Sequence, residues 1–597
     1  MVGMTRKGEK IPDPKDVEKE ISEFLSEKFG GRVKLITPMV SPSDVSEDEK
    51  DESSKKKIVF SLKPQELEVY LNQYVVKQDE AKAVLSTKIC THFNRIQYAE
   101  SSGADSRPIL GNIKNNILMV GPTGVGKTYI IKLIADKLGV PFVKADATKF
   151  SETGYVGGDV EDLMRDLVRE ADDDIELAQY GIVYIDEIDK IASSSHLIGP
   201  DVSRTGVQRA LLKPMEETDV DLKVPHDPIS MLEEIERYRK TGQRKKRVIN
   251  TKNILFIMSG AFSELGDVTK KRIADQGIGF GASVRSSGRS MDYLKYVKPQ
   301  DLVEFGFETE FVGRLPVITL FEELSEDDLY AILKNPNNPV ILSKKLDFKA
   351  YGIDVKFEDD ALRAIAGLAY KEGTGARSLV SVVEKILLKL EKRLPSGPVR
   401  QVAVSKEVVD DSAKALEEML SRQEADRSKW ADAYERVCEE EKAAIGDYIK
   451  ENQEMLMNDS DMLMSESKRH LIAEVYANNV CDIDGVMTKV KNRYEQLKEI
   501  QSYFCRAQGL QVTIDEAAMD GLILEMETAG LTPGDFYKKL TGDFQYAFKL
   551  VRESTGRTDF VITKQALDDH EAFLNNLVKE SYTDDTEASE EWTEEDV

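Results

Sequence analysis

Five short β runs punctuate the chain between about residues 62 and 320: Asn116–Val120, Phe142–Asp146, Gly181–Ile185, Asn253–Met258 and Val317–Phe321. They read as strands, and runs that are continuously apolar fit strands buried on both faces. Helical patterns alternate with them, which predicts an α/β domain built on a parallel sheet. A smaller α/β unit follows, over about 325–411. Residues 412–508 are polar and rich in Glu, Lys, Ala, Met and Leu, as in Ser412–Leu420 and Lys489–Ile500, and read as a helical region inserted between domains.

The pattern then repeats. Gly352-Ile353-Asp354-Val355 followed by Ala361-Leu362 is echoed by Gly509-Leu510-Gln511-Val512 followed by Ala518-Met519. Val402-Ala403-Val404-Ser405-Lys406 is likewise echoed by Phe560-Val561-Ile562-Thr563-Lys564. A degenerate second copy of the small domain is therefore expected at 509–580. The remaining segments are an amino-terminal region, 1–60, with a helix expected at Asp16–Phe29 and a flexible Ser/Asp/Glu/Lys linker at Ser41–Lys57, and an acidic tail, 581–597, expected to be disordered. The large domain takes 61–324 and its smaller companion 325–411.

Composition narrows the setting. A chain of 597 residues exceeds one ordinary core. No apolar run approaches the ~20 residues that span a bilayer, and the amino terminus lacks the apolar stretch of a secretory signal. The four cysteines, Cys90, Cys438, Cys481 and Cys505, are scattered without a C-x-x-C pair, and the five histidines show no metal-ligand spacing. A cytoplasmic protein with reduced cysteines and no zinc site is expected. The net charge of −26 argues against a protein whose main task is gripping nucleic acid, since such binding rests on neutralising phosphates.

The chemistry concentrates in two places. Gly121-Pro122-Thr123-Gly124-Val125-Gly126-Lys127-Thr128 fits the phosphate-loop pattern and lies between a strand and a helical segment. Such a loop turns backbone N–H groups and a helix N-terminus toward phosphate oxygens. Lys127 would reach the β- and γ-phosphates of ATP, and Thr128 would ligate Mg2+. The strand Gly181–Ile185 ends in Asp186 and Glu187. A parallel sheet delivers such residues to the crevice at its carboxyl edge, beside the phosphate loop. There Asp186 would position Mg2+ and Glu187 would polarise the attacking water.

At this point the chain resembles the AAA+ ATPases of the Clp unfoldase class, ClpX most closely and HslU next. The likeness runs from about Leu62 to Asp411. It is carried, in family order, by Thr153-Gly154-Tyr155-Val156-Gly157, Ile185-Asp186-Glu187-Ile188-Asp189-Lys190, Gly206–Lys213, Glu310-Phe311-Val312-Gly313-Arg314-Leu315-Pro316-Val317 and Gly373-Thr374-Gly375-Ala376-Arg377. The resemblance implies that Arg314 is an arginine finger reaching the γ-phosphate of a neighbouring subunit, and hence a homohexameric ring. It implies that Arg377 is the sensor-2 arginine, that Ser259 is sensor 1, and that Val75 and Val76 border the adenine. Where the family usually continues with Gly, this chain has Lys77.

Three further implications concern partners. Tyr155 and Val156, flanked by glycines, match the pore loop that pushes on a protein substrate. Ile278-Gly279-Phe280, in polar and Gly-rich surroundings, matches the loop by which ClpX docks on a ClpP-type peptidase. A second pore loop would fall near His196–Arg204, where the sequence departs from ClpX. The chain also lacks a cysteine-rich zinc domain, carries a charged insert at Pro228–Arg247, expected to be helical, and in its second small-domain copy has Gly534 where the first has Arg377. The rival readings are a free-standing remodelling chaperone without a peptidase, a nucleic-acid motor, disfavoured by the net charge and Tyr155, and a non-catalytic scaffold, disfavoured by the Asp186–Glu187 pair.

Overall fold

The computed structural model describes residues 60–101, 114–150, 158–192, 202–222, 247–276, 290–421, 423–460, 464–577 and 579. The expected amino-terminal helix and linker, the Tyr155–Val156 loop, most of the 196–204 loop, the 228–247 insert apart from Arg247, the Ile278-Gly279-Phe280 loop and the acidic tail lie outside them.

Helices α1 (Pro64–Tyr74) and α2 (Asp79–Ser101) lead into β1 (Ile117–Val120), α3 (Lys127–Leu138), β2 (Phe142–Asp146), α4 (Asp162–Glu170) and β3 (Ile182–Asp186). Next come α5 (Val202–Met215), β4 (Asp219–Asp221), β5 (Val248–Asn250), β6 (Leu255–Gly260), α6 (Leu265–Gln276), α7 (Pro299–Phe305), α8 (Thr309–Gly313) and β7 (Val317–Leu320). Among the described residues, five of these strands form one sheet in the order β2-β3-β6-β1-β7, with every neighbouring pair parallel. β4 and β5 pair antiparallel and bracket the charged insert.

The three central strands, β3, β6 and β1, are buried on both faces, and their side chains alternate between two cores. Ile117, Met119, Ile182, Tyr184, Leu255 and Ile257 join the core shared with α1, α2 and α3. Leu118, Val120, Val183, Ile185, Phe256 and Met258 join the one shared with α4, α5 and α8. This explains why these three strands read as nearly unbroken apolar runs. Strand ends differ from the sequence reading by a residue or two, and Ser259 lies within β6 rather than after it.

β7 passes into the small domain: α9 (Glu326–Lys334), α10 (Pro339–Lys349), β8 (Asp354–Phe357), α11 (Asp359–Glu372), α12 (Arg377–Arg393), β9 (Gln401–Val404), α13 (Lys406–Asp410) and α14 (Ser412–Met419). Ser325 starts α9 with a capping box: its hydroxyl accepts the Asp328 N–H, and the Asp328 carboxylate accepts the Ser325 N–H. β8 and β9 pair parallel.

After α14 the chain forms α15 (Glu424–Glu451), α16 (Gln453–Ser460), α17 (Glu466–Asn478), α18 (Ile483–Gln508), β10 (Gln511–Ile514), α19 (Glu516–Thr528), α20 (Pro533–Lys539), α21 (Gln545–Thr555), β11 (Asp559–Ile562) and α22 (Lys564–Asp568). This second unit and the small domain are built alike. β10 and β11 pair parallel in the register of β8 and β9. Asp354 N–H bonds the Arg400 carbonyl and Glu358 N–H that of Val404, while Gln511 bonds Thr558 and Asp515 bonds Ile562 in the same way. Gly352 and Gly373 take left-handed backbone, as do Gly509 and Gly530 at the same spacing. The likeness extends upstream of residue 509, because α17 packs on α19 as α9 does on α11, and α18 on β10 as α10 does on β8.

Helix α15, about 42 Å long at 1.5 Å per residue, joins the two units. Its first half packs Trp430 into the small-domain core and Tyr434 and Val437 onto Ala403 of β9. Its second half gives Ile445 and Ile449 to the core of the second unit. Between these contacts Glu441 is buried against two lysines: it pairs with Lys345 of α10 and, at 2.5 Å, with Lys356 of β8, whose ammonium also donates to the Ala477 carbonyl at 2.6 Å. Burial alone would favour a protonated Glu441, but the flanking ammonium groups outweigh it and hold the carboxyl below its usual range.

Breaking a buried ion pair from one side strands the remaining charge. Glu441→Ala leaves two buried ammonium groups unpaired and is expected to destabilise the joint by about 3–5 kcal/mol, read as a fall in the urea midpoint of the carboxyl-terminal unit. A loss below about 1 kcal/mol, the range of solvated surface pairs, would show that water reaches the triad.

Candidate nucleotide site

The phosphate loop leaves β1 at its carboxyl end and enters α3 at Lys127, with Gly124 and Gly126 in left-handed backbone. The Lys127 ammonium is drawn into the loop by the carbonyls of Gly121, at 2.6 Å, and Pro122, at 2.7 Å. Burial lowers its pKa to about 8, with Asp186 and Asp189 opposing the shift. An anion seated in the loop works against that depression and favours the charged lysine.

Asp186, the last residue of β3, gathers the polar groups of the crevice. Ser259 of β6 donates to its Oδ1 at 2.6 Å, Thr128 Oγ1 lies 3.4 Å from its Oδ2, and Lys144 of β2 pairs with it at 3.4 Å. Burial pushes this carboxyl up, but the Ser259 bond, the Lys144 charge and the Glu187 N–H together keep it below its ordinary value. The hydroxyl of Tyr184, two residues back on the same face of β3, joins Ser259 at 2.6 Å and Thr128 at 3.1 Å. The Thr128 and Asp186 oxygens suit a hard cation such as Mg2+. Those two residues would hold the ion that accompanies ATP, and it would neutralise phosphate charge there.

Glu187 follows with φ at +56°, a left-handed conformation unusual for a residue with a side chain. The backbone therefore turns sharply out of β3, and the Glu187 side chain is exposed where the strand ends.

The small domain meets the loop at once. The Ala376 N–H donates to the Gly124 carbonyl at 2.8 Å. A Cβ on Gly124 would lie 2.1 Å from the Thr374 carbonyl oxygen, and one on Gly375 would lie 2.7 Å from that of Gly124. Only glycines allow the two backbones this close. The contact brings Arg377, at the start of α12, near enough to act electrostatically on Lys127 and Tyr184.

On the other side, Val75 ends α1 and is buried, with Val76 half-buried next to it. Lys77 and Gln78 both take left-handed backbone, φ +60° and +64°, so Lys77 adopts the geometry that a glycine gives freely. Their side chains hold the strain in place by gripping the connection to the small domain. Lys77 Nζ donates to the Glu323 carbonyl at 2.7 Å and pairs with Asp328 at 3.1 Å, while the Gln78 amide bonds both backbone groups of Glu322 at 2.8 Å.

Arg314 stands apart from this cluster. Its carbonyl accepts from Asn116, at the amino end of β1, and its guanidinium pairs with Glu216 at 2.5 Å. β1 separates it from the phosphate loop at the opposite sheet edge, by about 13 Å at 3.3 Å per residue. The structure thus gathers Lys127, Thr128, Asp186, Ser259 and Arg377 in one crevice, with Glu187 at its rim, and leaves Arg314 outside. Sequence reasoning missed Tyr184 and Lys144. The signal for Tyr184 was its two-residue spacing from Asp186 on a strand, and Lys144 had a similar place on β2.

Comparison with known proteins agrees with this architecture. A family described as AAA domain (Cdc48 subfamily) matches residues 112–318, and one described as the C-terminal, D2-small domain, of ClpB protein matches 324–404. The chain is 40% identical over 358 residues to the ATP-dependent Clp protease ATP-binding subunit ClpX of Treponema denticola, covering 59% of this chain and 82% of that protein. It is also 40% identical over 349 residues to the ClpX proteins of Borrelia duttonii and Borrelia recurrentis, covering 58% of this chain and 78% of each. With a parallel five-stranded sheet, a phosphate loop at its carboxyl edge and this identity over most of those relatives, the chain belongs to the ClpX family of Clp-type AAA+ ATPases and hydrolyses ATP.

Proposed function

We propose that this ATPase is a protein unfoldase and translocase, that it works in the cytoplasm as a homohexameric ring, and that it delivers polypeptides to a ClpP-type peptidase. The observation that carries the ring is the separation of Arg314 from its own phosphate loop by the length of β1. An arginine there cannot serve its own nucleotide, whereas a neighbouring chain can present it across an interface, where a planar, permanently charged guanidinium stabilises the transferring phosphoryl group. Glu187 then orients water, Arg377 ties nucleotide to the small domain, Ser259 holds Asp186 in place, and Val75 and Val76 flank the base.

Tyr155 and Val156 supply the pore contact with substrate, and Ile278, Gly279 and Phe280 the contact with the peptidase. The relatives' name, a Clp protease ATP-binding subunit, supports the peptidase. No helix among the described residues is long and apolar enough to cross a membrane.

Mixing two inactive variants tests the ring. Arg314→Ala and Glu187→Gln are each expected to bind ATP and to hydrolyse it about 10³-fold more slowly or worse. Mixed in equal amounts they should recover measurable turnover, because some interfaces pair an intact Arg314 with an intact Glu187. No recovery on mixing would place the finger and the water-activating residue in one chain.

The force-bearing loop is tested by Tyr155→Ala, which is expected to retain ATPase activity and to lose unfolding of a stable fluorescent substrate. Undiminished unfolding would move the substrate contact elsewhere. Phe280→Ala should abolish ATP-dependent co-sedimentation with a ClpP-type peptidase. If the unaltered ring already ignores the peptidase, the chain is a remodelling chaperone without a proteolytic partner.

A further inference from the structure

The unit beyond the small domain touches both domains that meet at the nucleotide crevice. On the small-domain side its attachment is extensive. It includes the buried Glu441–Lys345–Lys356 triad, the Tyr434 and Val437 packing on Ala403, a bond from the Tyr476 hydroxyl to the Pro336 carbonyl at 2.9 Å, and Asn337, which accepts the Ile483 N–H at 3.0 Å and donates to the Tyr448 hydroxyl at 3.2 Å. On the large-domain side it reaches the end of α1. The Tyr74 hydroxyl donates to Asp484 Oδ2 at 2.6 Å, and the Gln73 amide contacts the Met455 sulfur at 2.9 Å. Asn335 of the small domain closes the triangle by donating to the Gln73 carbonyl at 2.6 Å.

Tyr74 precedes Val75 and Val76, and Tyr129, the neighbour of Thr128, lies within the electrostatic reach of Asp482. Three bodies therefore meet at residues 73–74, 335–337 and 482–484, on the flank of the nucleotide crevice.

We propose that Asp484 is a positioning residue for nucleotide binding: by accepting the Tyr74 hydroxyl it latches the carboxyl-terminal unit, and the small domain fixed to it, against the large domain, so that Arg377 and the Gly124–Ala376 contact stay closed over the phosphate loop. The asymmetry of the attachments gives the direction. A unit bound to the small domain through a buried charge triad and a packed helix moves with it, so the Tyr74–Asp484 bond, with the Gln73–Met455 contact beside it, makes and breaks as the two domains part. A ligand that binds between two domains has an apparent affinity scaled by the fraction of molecules in which they are closed, and a latch raises that fraction. Burial and the Asp484 carboxylate both hold the Tyr74 hydroxyl well above its ordinary pKa, so it remains a donor throughout the physiological range.

This inference rests on the reading of the crevice as the ATP site, and it is tested on the full chain with a fluorescent ATP analogue and steady-state ATPase assays. Tyr74→Phe and Asp484→Asn are each expected to raise Kd and KM for nucleotide about fivefold, the equivalent of one hydrogen bond. kcat should stay within about twofold and the melting temperature should be unchanged. The double variant should be no worse than either single one, since both remove the same bond. Singles within the error of the unaltered chain, or effects that add in the double variant, overturn the latch. A fall in kcat at constant KM overturns it too, because that marks a general distortion of the crevice. If Asp484→Asn lowers the melting temperature, Tyr74→Phe, which keeps the ring and its packing, decides alone. An unaltered chain that fails to bind the analogue would instead sink the ATP-site reading, and the latch with it.

Discussion

Two glycine backbones pressed together, Gly124 in the phosphate loop and Gly375 before α12, fix the geometry on which the rest of the site depends. Side chains can adjust to a poor fit by changing rotamer, whereas peptide planes in contact cannot. Because Ala376 donates to Gly124 directly, the position of the small domain is specified to within a hydrogen bond at the point where nucleotide phosphates would lie. The grip of Lys77 and Gln78 on residues 322–328 and the bracket formed by the carboxyl-terminal unit act on the same relation between domains from other sides.

The sheet sets the other boundary condition. With the central strands buried on both faces, polar groups gather at the strand ends, and the carboxyl edge collects those of the crevice. Thr128, Tyr184, Asp186 and Ser259 converge there and satisfy one another. The same burial keeps the opposite edge free for a different use, and Arg314 is placed on it.

Much of this was legible in the chain. The three central strands stood out because strands buried on both faces are nearly continuously apolar, and the loop and acidic pair followed from spacing alone. The likeness between the two small-domain units was visible because left-handed glycines and paired strand residues leave a signature in order and distance. The upstream reach of this likeness was not visible, because α17 and α18 share the packing of α9 and α10 without a matching sequence pattern. The Gly124–Gly375 contact, the Glu441 triad and the Tyr74–Asp484 bond join residues up to several hundred positions apart. No local pattern announces such pairs. Lys77 departs from the residue the family usually carries, yet the backbone there keeps the shape a glycine would give, held by side-chain bonds that only the fold reveals.

The backbone at Glu187 carries a further consequence. A residue with a side chain in left-handed conformation costs about 1 kcal/mol relative to glycine, so the chain is less stable here than it could be. Selection for heat resistance alone would drift toward glycine or asparagine at this position and discard the carboxylate at the strand's end. Under the proposed mechanism, the left-handed backbone at Glu187 is stability given up for a carboxylate at the strand's end.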